Sequence, residues 1–254
     1  MTETELRPAT GLVAAGRVEL FNVGYEGYVV PMHIDEPGLV TMEDIFDFDL
    51  DASRVAYREG EPVGFANLAV RGDEAWIGGV GVIPSARRSG VGEALMEAVH
   101  EQARERGVAR VWLEVIVENT GAFALYEKLG YEVVQDVEVW MLDGADGEHT
   151  AREVPASEIE LPARHEPWQR TDGTLAHYDD VRGLVTGSGA MLFCPRTKVQ
   201  PQQYTGEPEP LIRALRTYGD LYWLNLPTED PAADVLRDLG GTVVVRQHEM
   251  VLEL

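Results

Sequence analysis

The sequence predicts an α/β protein built as two units, and three observations carry that expectation. Its 254 residues exceed the usual length of a single domain. Helix-like and strand-like stretches alternate over the first half in the order helix, helix, three strands, helix, strand, helix, strand. A seam rich in Gly, Asp, Glu, Ala and Pro then runs from Asp143 to Pro167, and the second half closes on the same strand, helix, strand pattern as the first. We therefore place the units at 1–150 and 151–254.

The first element is a helix over Thr10 to Phe21, from the spacing of Leu12, Val13, Val18, Leu20 and Phe21. A second helix over Val40 to Phe48 takes Thr41 as N-cap, with Asp44 at its third position. The stretch between them, Gly24 to Leu39, carries Tyr25, Tyr28, Pro31, His33 and Pro37 and reads as a loop. Strands come next at Arg54 to Tyr57 and Pro62 to Val70, joined by Glu59-Gly60-Glu61, and a third at Ala75 to Ile83. That third strand holds Gly78, Gly79 and Gly81, and glycine inside a strand marks a bulge or a place where another backbone approaches. Val91, Leu95, Met96, Val99 and Ala103 then line one face of a helix ending at Gly107. A β-branched strand from Ala109 to Val117, a helix from Asn119 to Leu129 closed by Gly130, and a strand from Val133 to Leu142 complete the half.

Shifting the sequence by about 110 positions lays Ala122 on Ala232, Leu129-Gly130 on Leu239-Gly240, Val133-Val134 on Val243-Val244 and Leu142 on Leu252. The strand Ala190 to Pro195 can likewise be laid on Val80 to Pro84. The turn after that strand, Arg196 to Pro201, keeps positive charge without glycine, and Leu236 stands opposite Tyr126.

Composition narrows the function classes. Acidic residues number 44 against 21 basic ones, and the resulting charge of −23 repels phosphate backbones, which argues against nucleic acid and in favour of cationic partners such as amines. Only Lys128 and Lys198 are lysines; a high-salt habitat and GC-rich coding both produce this bias, and both readings stay open. A single Cys194 excludes an internal disulfide and a cysteine-based zinc cluster, so no metal is expected. No apolar run reaches the ~20 residues of a membrane span, and the start lacks a signal-peptide pattern, so a cytoplasmic protein is expected. A homodimer is compatible with the sequence.

The most informative stretch is Val80-Gly81-Val82-Ile83-Pro84-Ser85-Ala86-Arg87-Arg88-Ser89-Gly90-Val91-Gly92. It leads from a strand through an arginine-bearing turn into a helix that starts with glycines, so unpaired N–H groups and the positive dipole end are open to an anion. Side chains at Gly90 and Gly92 would block a pyrophosphate, whereas Arg87 or Arg88 can add charge-assisted bonds. Neither a Walker loop nor an intact Gly-x-Gly-x-x-Gly is present. In order and spacing, Arg87-x-x-Gly90-x-Gly92, succeeded by Leu113-Glu114-Val115, Asn119, Ala122 and Leu125-Tyr126-Glu127-Lys128-Leu129-Gly130-Tyr131, resembles the GNAT superfamily of N-acetyltransferases.

The resemblance implies a mixed, mostly antiparallel sheet flanked by helices, and after it a smaller, degenerate GNAT-like unit that supports the first. It implies acetyl-CoA as co-substrate and an amine as acceptor, with direct transfer in a ternary complex. Backbone groups of Val80 and Val82 would pair with the pantetheine arm at a splayed strand; Arg87, Arg88, Ser89, Gly90, Val91, Gly92 and Glu93 would wrap the pyrophosphate. Asn119 would bond the pantetheine or order its turn, and Tyr126 would protonate the departing thiolate. Glu114 is the candidate base, and a solvated strand carboxylate is the competing reading. Tyr25, Glu26, Tyr28 and His33 match the region that shapes the acceptor pocket. Glu43, Asp44, Asp47, Asp49 and Asp51 are surface charge that can attract a cation. A non-catalytic acyl-CoA sensor or interaction module is the alternative, and the retained Tyr126 argues against it.

Overall fold

A computed structural model describes residues 3–146 and 149–254, and the chain divides into two compact units. The first holds 1–134 and 249–254, the second 135–248. The first unit contains β1 (Glu5–Pro8), α1 (Ala14–Gly24), α2 (Glu36–Ile45), β2 (Arg54–Arg58), β3 (Glu61–Arg71), β4 (Glu74–Val82), α3 (Val91–Glu105), β5 (Arg110–Ile116) and α4 (Thr120–Lys128). The strand β6 (Glu132–Leu142) leaves it after Val134. The second unit holds β7 (Arg152–Pro155), α5 (Asp172–Leu175), β8 (Arg182–Val185), β9 (Gly189–Pro195), β10 (Val199–Gly206), α6 (Pro208–Leu215), β11 (Leu221–Pro227) and α7 (Pro231–Asp238), and β12 (Thr242–Glu253) returns to the first unit at Glu249.

The sequence puts the seam at Ala151, whereas the compact units divide inside β6 and β12. Apolar contact explains the difference, since Met250, Leu252 and Leu254 belong to the core that α3 and α4 cover, and the Leu254 N–H donates to the Ala109 carbonyl at 2.9 Å. Local periodicity identifies a strand and is silent about which core receives it.

In the first unit β1 to β4 pair antiparallel in sequence order, and β4 pairs parallel with β5. Two-residue alternation divides the sheet's faces. Ala56, Ala66 and Leu68 turn to α3, whose buried stripe Val91, Leu95, Met96, Val99 and Ala103 is the one expected. Val55, Tyr57 and Phe65 turn the other way, to Leu20 and Phe21 of α1. The second unit repeats the plan: β7 to β10 form antiparallel neighbours, β11 pairs antiparallel with β6, and β10 meets β11 in parallel only at Val199 and Leu221. The repeated tails also share their caps, because Gly130 and Gly240 both come after their helices in the left-handed region, at φ 93° and 86°.

Two local expectations are corrected. Helix α2 starts at Glu36, inside the expected loop, and its cap is Asp35, whose side chain accepts from the Gly38 N–H at 2.9 Å, so Thr41 lies mid-helix. Pro37 reads as a breaker in the sequence, yet in a first turn its missing N–H costs nothing. In the second unit Val199 to Gly206 is strand, and helix α6 begins at Pro208, so the structural counterpart of β4 is β10 and not Ala190 to Pro195.

Inside the first core, His100 of α3 is 4% exposed and shares a 2.8 Å hydrogen bond between its Nε2 and the Tyr131 hydroxyl. Burial, with repulsion from Arg104 adding, lowers its pKa from 6.5 to about 4. The unfolded chain therefore binds the extra proton between those values, and stability is lost as pH falls through that window. Denaturant unfolding should show a loss of up to about 3 kcal/mol from pH 6.5 to 4. His100→Asn should flatten that part of the profile, and an unchanged slope would remove His100 as its source.

Candidate functional site

Strands β4 and β5 pair only at Glu74–Arg110, Ala75–Val111 and Trp76–Trp112, after which they part. The β3–β4 register shifts between Asn67 and Leu68, and Gly78 falls in the irregularity. Aromatic packing accounts for the glycines there: a Cβ on Gly78 would strike Phe48 and Trp76, and one on Gly81 would strike Phe65. Past Trp76 the edge of β4 is met by side chains, since the Val80 N–H donates to the Tyr25 hydroxyl oxygen and the Val82 carbonyl accepts from Arg87 Nε at 2.9 Å.

The turn after β4 carries Arg88 at φ 58° and Gly90 at φ 85°, both left-handed, and Gly90 is the N-cap of α3 with no side chain closing the helix. The leading N–H groups of Val91, Gly92 and Glu93 thus face outward without a cap. Val91 is anchored in the core, and Glu93 pairs with Lys128. The Ser89 hydroxyl bonds the Ala86 carbonyl, while Arg58 Nη2 donates to the Ser89 carbonyl at 3.2 Å. Arg88 is exposed and makes no hydrogen bond or ion pair among the described residues. Most other arginines of the first unit are neutralised, by Glu5, Glu43, Asp47, Asp49 and Glu74. Arg58 and Arg88 are therefore guanidinium groups at the turn without a carboxylate partner among the described residues. Sequence reasoning misses Arg58, for nothing local says that the end of β2 reaches the start of α3.

Arg87 is placed otherwise than expected. Besides Val82, its Nη2 donates to the carbonyls of Gly24 at 3.1 Å and Glu26 at 2.7 Å. The acidic group in and after the last turn of α2 also differs from expectation, because Glu43, Asp47 and Asp49 are bound by Arg17, Arg71 and Arg106.

Where the strands part, Tyr25, Tyr28, Asn119 and Tyr126 come together. The rings of Tyr25 and Tyr28 meet edge to face at 5.0 Å, and the Tyr28 hydroxyl bonds the Asn119 side chain. Asn119 also caps α4, its Oδ1 accepting from the Ala122 N–H at 3.2 Å, so one residue orders the turn and touches the cluster. Tyr126 is 8% exposed, and its hydroxyl makes no hydrogen bond among the described residues. Burial, with Tyr28 adding, raises its pKa far above 10.0 and keeps it a proton-bearing group. Glu114, two residues past the last paired position of β5, accepts from Trp76 Nε1 at 2.8 Å. Tyr25, Glu26, Tyr28 and His33 all line one groove of about 520 Å³, with Pro31 and Met32 supplying apolar wall.

The second unit parts β10 from β11 in the same way, but there the space is taken. Arg170 is 1% exposed, its carbonyl accepts from Gln203 of β10, its guanidinium donates to the Asn225 carbonyl of β11, and Glu166 pairs with it at 2.6 Å. At the start of α6 stand the cap Glu207 and Pro208, and Leu236 is fully buried where the first unit has Tyr126.

Among the described residues no helix is long and apolar enough to cross a membrane. The sequence model of the acetyltransferase (GNAT) family matches residues 25–131. The [ribosomal protein bS18]-alanine N-acetyltransferase of Escherichia coli (strain K12) is 42% identical over 74 residues, which are 29% of this chain and 50% of that protein. The chain thus spans about half the length of that relative. Aminoglycoside N(6')-acetyltransferase type 1 of Salmonella typhimurium (strain LT2) is 29% identical over 116 residues, 42% of this chain and 80% of that one. A tandem GNAT protein from the clavulanic acid biosynthesis pathway, solved without AcCoA, superposes over 99% of this chain and 98% of its own with a TM-score of 0.63 at 17% identity, a likeness of fold that extends through both units. Residues 25–131, which carry the parted strands, the uncapped helix and Tyr126, are the part of the chain that matches the acetyltransferase (GNAT) family.

Proposed function

We propose that this chain is an N-acetyltransferase that moves an acetyl group from acetyl-CoA to a primary amine by direct transfer in a ternary complex. The observation that carries the reading is the alignment of three features in the first unit: a parted edge of β4, an uncapped helix start after it, and a buried tyrosine hydroxyl with no partner among the described residues. The pyrophosphate falls to the N–H groups of Val91, Gly92 and Glu93, with Arg88 and Arg58 supplying charge. Pantetheine amides take the β4 edge at Val80 and Val82, replacing the Tyr25 hydroxyl at the Val80 N–H and leaving the Val82 carbonyl to Arg87.

An ammonium has no lone pair, so the acceptor must lose a proton before it attacks the thioester carbonyl. Glu114, held by the Trp76 indole, is the carboxylate we assign to that proton. As the C–S bond breaks its electron pair goes to sulfur, the Tyr126 hydroxyl donates a hydrogen bond to the departing thiolate, and the second proton shed by the nitrogen as it becomes an amide ends on that sulfur. A thiol has an ordinary pKa of about 8.5, well below that of Tyr126, so a strong hydrogen bond to the thiolate is favoured over complete transfer. The net charge of −23 favours a cationic acceptor, and the relatives named for ribosomal-protein alanine and for aminoglycosides define the acceptors to try first. We read the second unit as degenerate and supporting.

Tyr126→Phe keeps the packing and removes the donor. Its kcat should fall roughly 10²–10³-fold with acetyl-CoA affinity retained. Because burial raises the tyrosine pKa, the wild-type rate should show no alkaline loss from this group up to pH 10.0. Unchanged turnover would assign the hydroxyl to packing, and would leave a non-catalytic acyl-CoA binder as the better reading.

Gly90→Glu places a carboxylate where a Cβ meets no atom within 4 Å, so the protein should still fold at a left-handed strain of about 1–2 kcal/mol. Acetyl-CoA should then no longer raise its melting temperature, whereas it should raise that of the wild type. An undiminished shift would move the cofactor site elsewhere.

Calorimetric titration should give one acetyl-CoA per chain, because Pro208 and the buried Arg170 deny the second unit a cradle and a cleft. A stoichiometry of two would make the protein a tandem enzyme.

A further inference from the structure

We propose that Arg87 is the latch that holds the acceptor loop on β4, a positioning residue for the amine rather than a ligand of the pyrophosphate. The inference rests on the transferase reading and names how its acceptor side is held. Guanidinium N–H groups on two of the Arg87 nitrogens are spent on carbonyls from two elements: Nε on Val82 of β4, and Nη2 on Gly24 and Glu26 at the end of α1. The Gly24 carbonyl is of the kind a helix leaves unsatisfied at its C-terminus, where the dipole is negative and a cation is favoured, and the Glu26 carbonyl lies just past the Tyr25 cap. Arg87 therefore caps α1 from across the sheet.

What it caps is the start of the groove. Glu26, Tyr28 and His33 all lie on the segment that begins there, and the far end of that segment is tied by Asn22, whose side chain both donates to and accepts from the Ile34 backbone at 2.9 Å. The loop from Tyr25 to Ile34 is thus pinned at two points, one inside α1 and one on the strand that receives the donor. A Cβ on Gly24 would lie 3.0 Å from Phe65 and 3.3 Å from the Gly81 backbone, so the helix end already rests on β4 and the latch spans a closed seam. With the Nε and Nη2 edge committed, Arg87 has no free pair of parallel N–H groups on that edge to offer a phosphate, while Arg88 and Arg58 have no carboxylate partner among the described residues.

Arg87→Met and Arg87→Lys test the assignment. A lysine keeps the charge but presents one nitrogen, which does not span carbonyls on two elements. For a latch, both variants should bind acetyl-CoA within about threefold of wild type, and both should lose roughly 10–100-fold in kcat/KM for the amine, with the same loss when acetyl-pantetheine, which has no pyrophosphate, replaces acetyl-CoA. For a phosphate ligand, Met should weaken acetyl-CoA at least tenfold, Lys should restore it, and acetyl-pantetheine should be indifferent; that outcome overturns the proposal. Hydrogen exchange gives a second readout that needs no turnover. Amides between Tyr25 and His33 should exchange at least about tenfold faster in both variants without any substrate, and unaltered exchange overturns the latch. If the wild type transfers acetyl to no amine, the transferase reading fails on its own while the exchange result still decides the role of Arg87.

Discussion

The parting of β4 from β5 after Trp76 and Trp112 is the constraint on which the rest of the first unit depends. A parallel pair ordinarily satisfies its backbone groups against its neighbour, and two strands that separate must find other partners for them. Here the partners are Tyr25 and Arg87, both reaching in from or toward the loop after α1. The parted edge is therefore kept hydrogen-bonded by one group from the end of α1 and one from the turn after β4. A ligand amide that took the place of the Tyr25 hydroxyl at Val80 would exchange like for like, which keeps the cost of opening the edge small.

The second unit fills such a gap from within. Its strands part as well, yet Arg170, Glu166, Asn225 and Gln203 bridge them with bonds of their own. An ion pair this deep does little for stability in itself, but it leaves no unfilled polar edge. One architecture therefore has its parted edge met by Tyr25 and Arg87 in one unit and by a buried ion pair and amides in the other, through side chains alone.

Periodicity made much of this legible. The stripe of α3, the β-branched run of β5 and the Leu-Gly ends of α4 and α7 are local patterns, and each appears where the sequence says. The cluster of Tyr25, Glu26, Tyr28 and His33 is also local, since one short loop carries all of them. What stayed hidden depends on pairing across long separations: β1 lies on β2, Met250 enters the first core, Arg58 reaches the Ser89 carbonyl, and Arg87 turns back to α1. Arginine is the hardest residue to place from a motif, because its long stem lets the charged fork serve a site several ångströms from the backbone that carries it.

The return of β12 to the first unit bears on biosynthesis. Residues 1–134 emerge from the ribosome first, but the core they build is completed by Met250, Leu252 and Leu254, which are made more than a hundred residues later. Until then the nascent chain exposes the apolar edge that those residues cover, and chaperones are the natural guardians of such a surface. The first unit therefore closes only when β12 has been made, so a product terminated before β12 lacks part of that core.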